Sequence, residues 1–338
     1  MGSNNNNLFR HAGKEFVMDA FLCWLIEEEK QNDKLAGFRE EFLEDFLEVN
    51  PDGKVQEIKA EKQKNNIDVL ITIETDQDKH EVLMENKMWS NIHGRQLGRY
   101  KENHPNAAAF IYWKLGYLHR KERKQVRNVG YEIRGPESLN NILENYVEAH
   151  PFIKEFNQFL NTHFIGLREK IKNDYQENRY EELQHAPFQQ YVTEKIYDQL
   201  TKNGFADEEL SFLFGTNRDG TPWSHLTFSQ LDEVYDQKQE VLFFRIDKRS
   251  DKFYLRVNQY SKDGKKYWPK KKNRMQKLRE AADELKDDIS LNFNSPHNRA
   301  SNEVEILILF FEDGNTIEKV VSKTPQIAKK LKSVHQKL

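Results

Sequence analysis

The sequence predicts two units in succession: an α/β core whose mixed central sheet is flanked by helices, then a C-terminal α+β domain. Three observations predict this. Residues 67–73 (IDVLITI) and 81–88 (EVLMENKM) are apolar, strand-forming runs joined by the polar turn TDQDK, the pattern of a hairpin. Residues 107–113 (AAAFIYW) are almost wholly apolar and follow a polar helical stretch, as expected of a strand buried on both faces in a parallel pairing. From Glu209 onward the pattern changes to short strands, LSFLF, HLTF, VLFFRI and FYLRVNQY, separated by Gly, Asp and Lys turns.

The elements follow in order. A first helix is expected over Leu8–Glu29, where Phe16, Ala20, Leu22, Cys23 and Ile26 keep helical spacing with Glu15 and Asp19 among them. A second is expected over Leu35–Glu48, ended by the turn Asn50-Pro51-Asp52-Gly53. A strand at Val55–Glu61 precedes the hairpin. A polar helix near Ile92–Glu102 lies between the hairpin and the AAAFIYW strand, which permits a crossover connection. A further strand at Val129–Ile133 and a helix at Pro136–Tyr146 complete the core. Pro151 marks a boundary, which gives a core over 8–150, a helical connector over 151–205 and an α+β domain over 206–338. In that domain a charged helix at Asn273–Leu285, the strand EVEILILFF and a helix at Gln326–Gln336 are expected.

Composition narrows the function classes. The 338 residues are 37% hydrophobic, 12% aromatic and 32% charged, which fits a folded protein rather than a disordered one. The net charge of −3 rules out a global positive field, so any nucleic-acid surface must be a local patch. One cysteine, Cys23, forms no internal disulfide, and no Cys/His spacing matches a zinc site; a reduced, cytoplasmic setting is expected. The apolar run Phe21–Ile26 is far too short to span a bilayer, and MGSNNNN lacks the regions of a signal peptide, so no membrane partner is expected. No P-loop, dinucleotide fingerprint or nucleophile elbow points to ATP, NAD or acyl chemistry.

Chemistry is concentrated in the hairpin. Residues two apart on a strand share a face, so Glu85 and Lys87 project together, while Asn86 points away and leaves its backbone carbonyl nearby. Pairing of the two strands would bring Asp68 beside Glu85. Two carboxylates and a carbonyl suit a hard divalent cation, which takes few protein ligands besides water and substrate phosphate. An adjacent lysine can orient or help deprotonate the attacking water and offset charge in the transition state. The alternative is that Asp68 is a strand-edge turn residue and Glu85 and Lys87 a solvated pair.

Asp68 followed by the triplet Glu85-Asn86-Lys87 resembles the signature of the PD-(D/E)xK nuclease superfamily. The resemblance extends through the opening LFRHAGKEFVMDAFLCWLI, the NNIDVLI strand and QLGRY after the triplet, and covers roughly residues 8–147. Ile67 stands where the family often has a proline. The resemblance implies a restriction-endonuclease-like core with a C-terminal extension. It implies Asp68, Glu85 and the Asn86 carbonyl as metal ligands, Lys87 assisting the water, and Glu15 and Gln96 as supporting catalytic residues. It also implies Mg2+ as cofactor, with Mn2+ able to substitute, and DNA as substrate, cut to 5′-phosphate and 3′-hydroxyl ends in restriction, repair or antiviral defence. Cutting two strands takes two sites, which makes a homodimer or protein partner an expectation. A nucleic-acid-binding subunit without turnover, or an RNA-directed nuclease, remains open on the same residues.

Weaker candidates surround the hairpin. Glu57 and Glu61 lie on the preceding strand, and Tyr100 shares the helix face of Gln96, while His11 and His93 have no partners at metal spacing. Two basic runs could contact phosphates or simply be solvated: Arg120, Lys121, Arg123 and Lys124 with Arg127, and Lys262–Arg279, which holds Lys270, Lys271, Lys272 and Arg274 beside Tyr267 and Trp268. The GTNRDGTPWSHLTF segment, with Arg218 and Trp223, reads as a hairpin with a packed tryptophan in preference to a recognition loop.

Overall fold

The computed structural model describes residues 7–12, 15–90, 92, 94–234, 238–249, 252–285, 293–294, 300–312 and 314–338. The chain divides into two compact units, residues 1–169 and 170–338. The helical stretch 151–205 is therefore shared between them.

In the first unit a five-stranded mixed sheet has the order β1 (Val55–Lys64), β2 (Ile67–Thr75), β3 (Lys79–Lys87), β4 (Ala109–Lys114) and β5 (Glu132–Arg134). β1, β2 and β3 are antiparallel, whereas β4 pairs parallel with β3 and β5 parallel with β4. The hairpin and the parallel AAAFIYW pairing thus form as their apolar patterns require. Asn65 and Asn66, both with positive φ (54° and 65°), make the two-residue turn between β1 and β2; asparagine tolerates that backbone, and such turns match strand twist.

The helices of this unit are α1 (Leu8–Ala12), α2 (Phe16–Glu29), α3 (Phe38–Glu41, continued as a wider turn to Leu47), α4 (Gln96–Asn103), α5 (Arg120–Val129), α6 (Pro136–Leu143), α7 (Pro151–Leu160) and α8 (Gly166–Gln176). The helix expected over Leu8–Glu29 is two helices, and Glu15 stands immediately before the second. One sheet face, with Val69, Ile71, Val82, Met84 and Trp113, packs on a core shared with α2 and α7 through Leu22, Leu25 and Phe156. The other face, with Leu70, Leu83, Phe110 and Tyr112, packs on Leu97 and Tyr100 of α4 and Val126 of α5. Strand alternation then dictates where the polar residues fall. Glu85 and Lys87 continue the Leu83 face, and Asn86 continues the Met84 face.

In the second unit a six-stranded antiparallel sheet has the order β10 (Phe293–Asn294), β11 (Glu303–Phe310), β9 (Lys252–Ser261), β8 (Lys238–Arg249), β7 (Pro222–Val234) and β6 (Ser211–Thr216). α9 (Ala186–Lys202) and α11 (Ile317–His335) pack against β7, and α10 (Trp268–Asp283) packs against β11. α10 begins five residues earlier than expected and α11 nine, because Pro269 occupies the first turn of one and Thr316 caps the other. Among the described residues no helix is long and apolar enough to cross a membrane.

Candidate active site

The β2–β3 register pairs Val69 with Met84, so Asp68, one residue earlier, stands opposite Glu85 at the end of the hairpin. Both carboxylates reach the same ammonium. Lys87 Nζ donates to Glu85 Oε1, lies 3.5 Å from Asp68 Oδ2 and donates to the Asn86 carbonyl at 3.1 Å. The second Asp68 function is structural: its Oδ2 accepts the Asn86 backbone N–H at 2.9 Å. Glu85 is 1% exposed and Lys87 6%, which excludes a solvated surface pair.

Burial sets the electrostatics. Desolvation, reinforced by the Asp68 charge, pushes the Glu85 carboxyl up to about 7. For Lys87 burial acts downward, but the Glu85 and Asp68 carboxylates outweigh it and hold the ammonium above its ordinary value. Lys87 is therefore a cation at neutral pH.

Gln96 and Glu15 both come to the site. Gln96, the first residue of α4, donates from Nε2 to Glu85 Oε2 at 3.0 Å and meets the Tyr100 hydroxyl at 2.8 Å. Tyr100 donates in turn to the Asn66 carbonyl of the β1–β2 turn, which ties α4 to the strand ends. Glu15 Oε1 accepts the Met88 N–H at 3.1 Å and the Ser90 hydroxyl at 2.5 Å, so it grips the chain leaving β3.

Other candidates do not converge here. On β1 the half-buried Glu57 pairs with Lys59 and Lys30, and the exposed Glu61 with Lys64. His11 is exposed on α1, and His93 lies outside the described residues. In the second basic run two residues are corrected. Lys271 is fully buried and donates to the Asn302 carbonyl at 2.6 Å, and Arg274 is held by buried Glu240 at 2.8 Å. These side chains face the sheet because α10 needs an inward stripe, and their positions fall on it with Met275 and Leu278. Lys270 and Lys272 are exposed, as are Arg120, Arg123 and Lys124 of α5, while Lys121 is half-buried. Trp223 is a packed residue, its ring over Gly215 and 4.4 Å from the His225 ring.

Several site residues lie outside the hairpin signal. Asp19 of α2 is 1% exposed, accepts Asn86 Nδ2 at 2.7 Å and Gln63 Nε2 at 3.3 Å, and is raised to about 6 by burial with Asp68 nearby. Gln63 also donates to Asp68 Oδ1 at 3.3 Å. The sequence signal was Asp19 four residues after Glu15, on one helix face and among apolar residues. Behind Lys87, in register with it on β4, Lys114 is buried and lies 3.6 Å from the buried Glu122 of α5. Lys114 donates to the Ser90 carbonyl, and Glu122 accepts Tyr112 Oη–H at 2.6 Å and the Ile92 N–H at 3.3 Å. This pair pins the chain between β3 and α4 from below while Glu15 holds it from above.

The donor set suits a hard cation. Asp68, Glu85 and the Asn86 carbonyl present oxygen atoms, and the Asp68 charge that adds to the desolvation of Glu85 and Asp19 is one a divalent ion would offset. Among the described residues no group of three or more His, Cys, Asp or Glu forms a metal-ligating cluster; two carboxylates with substrate and water satisfy Mg2+. Comparison with family models, curated proteins and solved structures finds no match to the chain.

Proposed function

We propose that the protein is a Mg2+-dependent phosphodiesterase acting on DNA, with Asp68, Glu85 and the Asn86 carbonyl as metal ligands and Lys87 as the cation beside the attacking water. The observation that carries this reading is the convergence of Asp68 and Glu85, from neighbouring antiparallel strands, on the buried Lys87 ammonium. The resemblance of Asp68…Glu85-Asn86-Lys87 and Gln96…Tyr100 to the PD-(D/E)xK nucleases supports the same reading. It adds a restriction-endonuclease-like core, Mn2+ as a substitute metal, and a place in restriction, repair or antiviral defence.

In this reaction a water oxygen bonds to phosphorus, the bond to the 3′-oxygen breaks, and that oxygen takes up a proton. When bound, the divalent ion supplies Lewis acidity toward the phosphate and lowers the pKa of its water. The chain's own residues do the rest. Lys87, charged and anchored on the Asn86 carbonyl, donates hydrogen bonds to the water and to the developing negative charge on phosphate oxygens. Gln96 and Tyr100 fix the second Glu85 oxygen, Gln63 and the Asn86 amide fix Asp68, and Glu15 holds the strand end in place. Asp19 and the Asn86 side chain brace the triplet from the opposite sheet face.

The test is incubation of the purified chain with single-stranded DNA, duplex DNA and RNA, in Mg2+ or EDTA, beside Asp68→Ala and Lys87→Ala. Mg2+-dependent cleavage of DNA, reduced on the order of 10²–10³-fold in either variant, is expected. Cleavage untouched by both substitutions sinks the site assignment. Tight binding without metal-dependent cleavage makes the chain a binding subunit, and cleavage of RNA in preference to DNA changes the substrate.

A further inference from the structure

The second unit holds a cavity of about 790 Å³, within the ~300–1,000 Å³ of small-ligand sites. It is lined by Arg245 of β8, Arg256 and Asn258 of β9, Glu303 and Glu305 of β11, and the exposed Lys265. Ser301 and Asn302 complete one wall, and that wall is anchored. The Asn302 carbonyl accepts the Ser261 N–H at 3.0 Å and the buried Lys271 ammonium at 2.6 Å, while its side-chain oxygen accepts the Lys265 N–H at 3.0 Å. Arg279 of α10 donates to the Glu305 carbonyl at 2.7 Å. Lys271 and Arg279, inward-facing members of the second basic run, thus fix the frame of the cavity.

Strand pairing sets the floor. Arg245 stands directly opposite Arg256, and Glu305 opposite Asn258, so these four side chains share one sheet face while Leu242, Phe244, Leu255 and Val257 fill the other. Two cations in direct cross-strand register oppose folding, and three carboxylates offset them. Asp247 Oδ2 accepts Arg245 Nε at 2.8 Å and Arg256 Nη2 at 2.6 Å. Glu305 Oε1 accepts Arg256 Nη1, and Glu303 Oε1 accepts Asn258 Nδ2 and lies 3.6 Å from Arg245 Nη1. The network is incomplete. Arg256 Nε and Asn258 Oδ1, a donor and an acceptor on neighbouring side chains of that face, are buried without a partner among the described residues. Such orphans are costly, and apolar residues would make a more stable floor. With two guanidiniums against three carboxylates, the floor repels an anion and favours a neutral group rich in N–H donors. The guanidiniums in turn demand acceptors and disfavour a cation.

A neutral head with adjacent donors and acceptors at the floor, and an anion at the Lys265 rim, describe a nucleotide. Among the bases guanine meets both demands, with N1–H and the N2 amino group as adjacent donors and O6 and N7 as adjacent acceptors. We propose that this cavity binds a guanine nucleotide, with the donor edge of the base on Glu303, Glu305 and Asn258, its O6 on Arg256, and its phosphate at Lys265. A free nucleotide and a guanine in single-stranded nucleic acid share this chemistry. The proposal concerns the second unit alone and stands apart from the phosphodiesterase reading.

The experiment is calorimetric titration of the full chain in EDTA with guanosine, GMP, IMP and AMP. Beside it, fluorescence anisotropy compares a labelled oligothymidylate carrying one central guanine with the same strand lacking it. GMP is expected to bind about tenfold more tightly than IMP, which lacks only the N2 amino group. Against AMP, whose edge exchanges donors for acceptors, the advantage is expected to be about a hundredfold or more. Two variants at side chains open to solvent keep folding out of the comparison. Glu303→Gln is expected to erase most of the advantage of GMP over IMP, and Lys265→Ala to weaken GMP severalfold while leaving guanosine unchanged. A guanine preference among the free nucleotides supports the proposal with free nucleotide as the source, and one confined to the oligonucleotides supports it with nucleic acid. Equal affinities for GMP and AMP with no guanine preference between the oligonucleotides overturn it, as does wild-type GMP binding in both variants.

Discussion

Burial leaves Glu85 and Asp19 protonated well above the pH at which such carboxyls ordinarily ionise, at about 7 and about 6 against 4.5 and 3.8. Between those limits the folded chain binds more protons than the unfolded one, so stability falls as pH rises. The contribution is complete below about pH 4 and is lost as pH climbs through 6 to 7. In EDTA the melting temperature is expected to drop between pH 4.5 and 7.5, by on the order of 2–3 kcal/mol in stability from Glu85 alone, and Glu85→Gln is expected to flatten the slope. Divalent metal competes with the same protons, so Mg2+ is expected to raise the melting temperature more at pH 8 than at pH 5.5; an equal rise at both contradicts the ligand assignment. A second residue-scale consequence concerns Tyr100, which joins Gln96 to the Asn66 carbonyl. Tyr100→Phe keeps the ring in its core but releases both bonds, and a loss of about 10-fold in metal affinity or turnover is expected, measured by calorimetry and by initial rates.

Among the elements, β2 and β3 carried the signal that made the site readable. Period-two alternation put Glu85 and Lys87 on one face, and the TDQDK turn fixed which strands pair, so Asp68, Glu85 and Lys87 were legible before any coordinates, whereas Gln96 came only from the family resemblance. The β1–β2 turn was less so. Its Asn65-Asn66 pair is a hairpin signal, but β1 is an exposed edge strand whose polar residues hide the register that brings Gln63 to Asp68. Lys114 and Glu122 were illegible for another reason: a lysine after an apolar run and a glutamate in a basic run both look like surface residues, and only the packing of α5 against β4 buries them together. Lys271 lay in a run read as either phosphate-contacting or solvated, and its burial was hidden in the same way. Breaking the Lys114–Glu122 pair with Glu122→Ala leaves a buried ammonium and is expected to cost about 3–5 kcal/mol, whereas Lys114→Met with Glu122→Leu is expected to cost less, its remaining loss coming from the Tyr112 hydroxyl and the Ser90 carbonyl deprived of these partners. Urea unfolding of the three proteins checks this, and a neutral Glu122→Ala contradicts the burial of the pair.

At the scale of the whole molecule, each unit has its own sheet and its own apolar interior, and the division at 169/170 falls within α8. A fragment ending at Asn178, just beyond that helix, is therefore expected to melt cooperatively and to bind Mg2+ as the full chain does; a non-cooperative, molten fragment contradicts the independence of the first core. The second unit is readable as an α+β layer, but no chemistry comparable to the hairpin site was legible in its sequence, because its charged residues largely pair with each other, as Arg256 does with Asp247 and Arg274 with Glu240. The central claim is that Asp68, Glu85 and Lys87 cut a phosphodiester with a divalent ion. Single-turnover cleavage of end-labelled DNA in Mg2+, with enzyme in excess, tests it most directly when wild type is set beside the isosteric Asp68→Asn. The account predicts cleavage by wild type that EDTA abolishes, and a rate lower by on the order of 10²–10³-fold in Asp68→Asn; cleavage at the wild-type rate by that variant, or none by wild type, would contradict it.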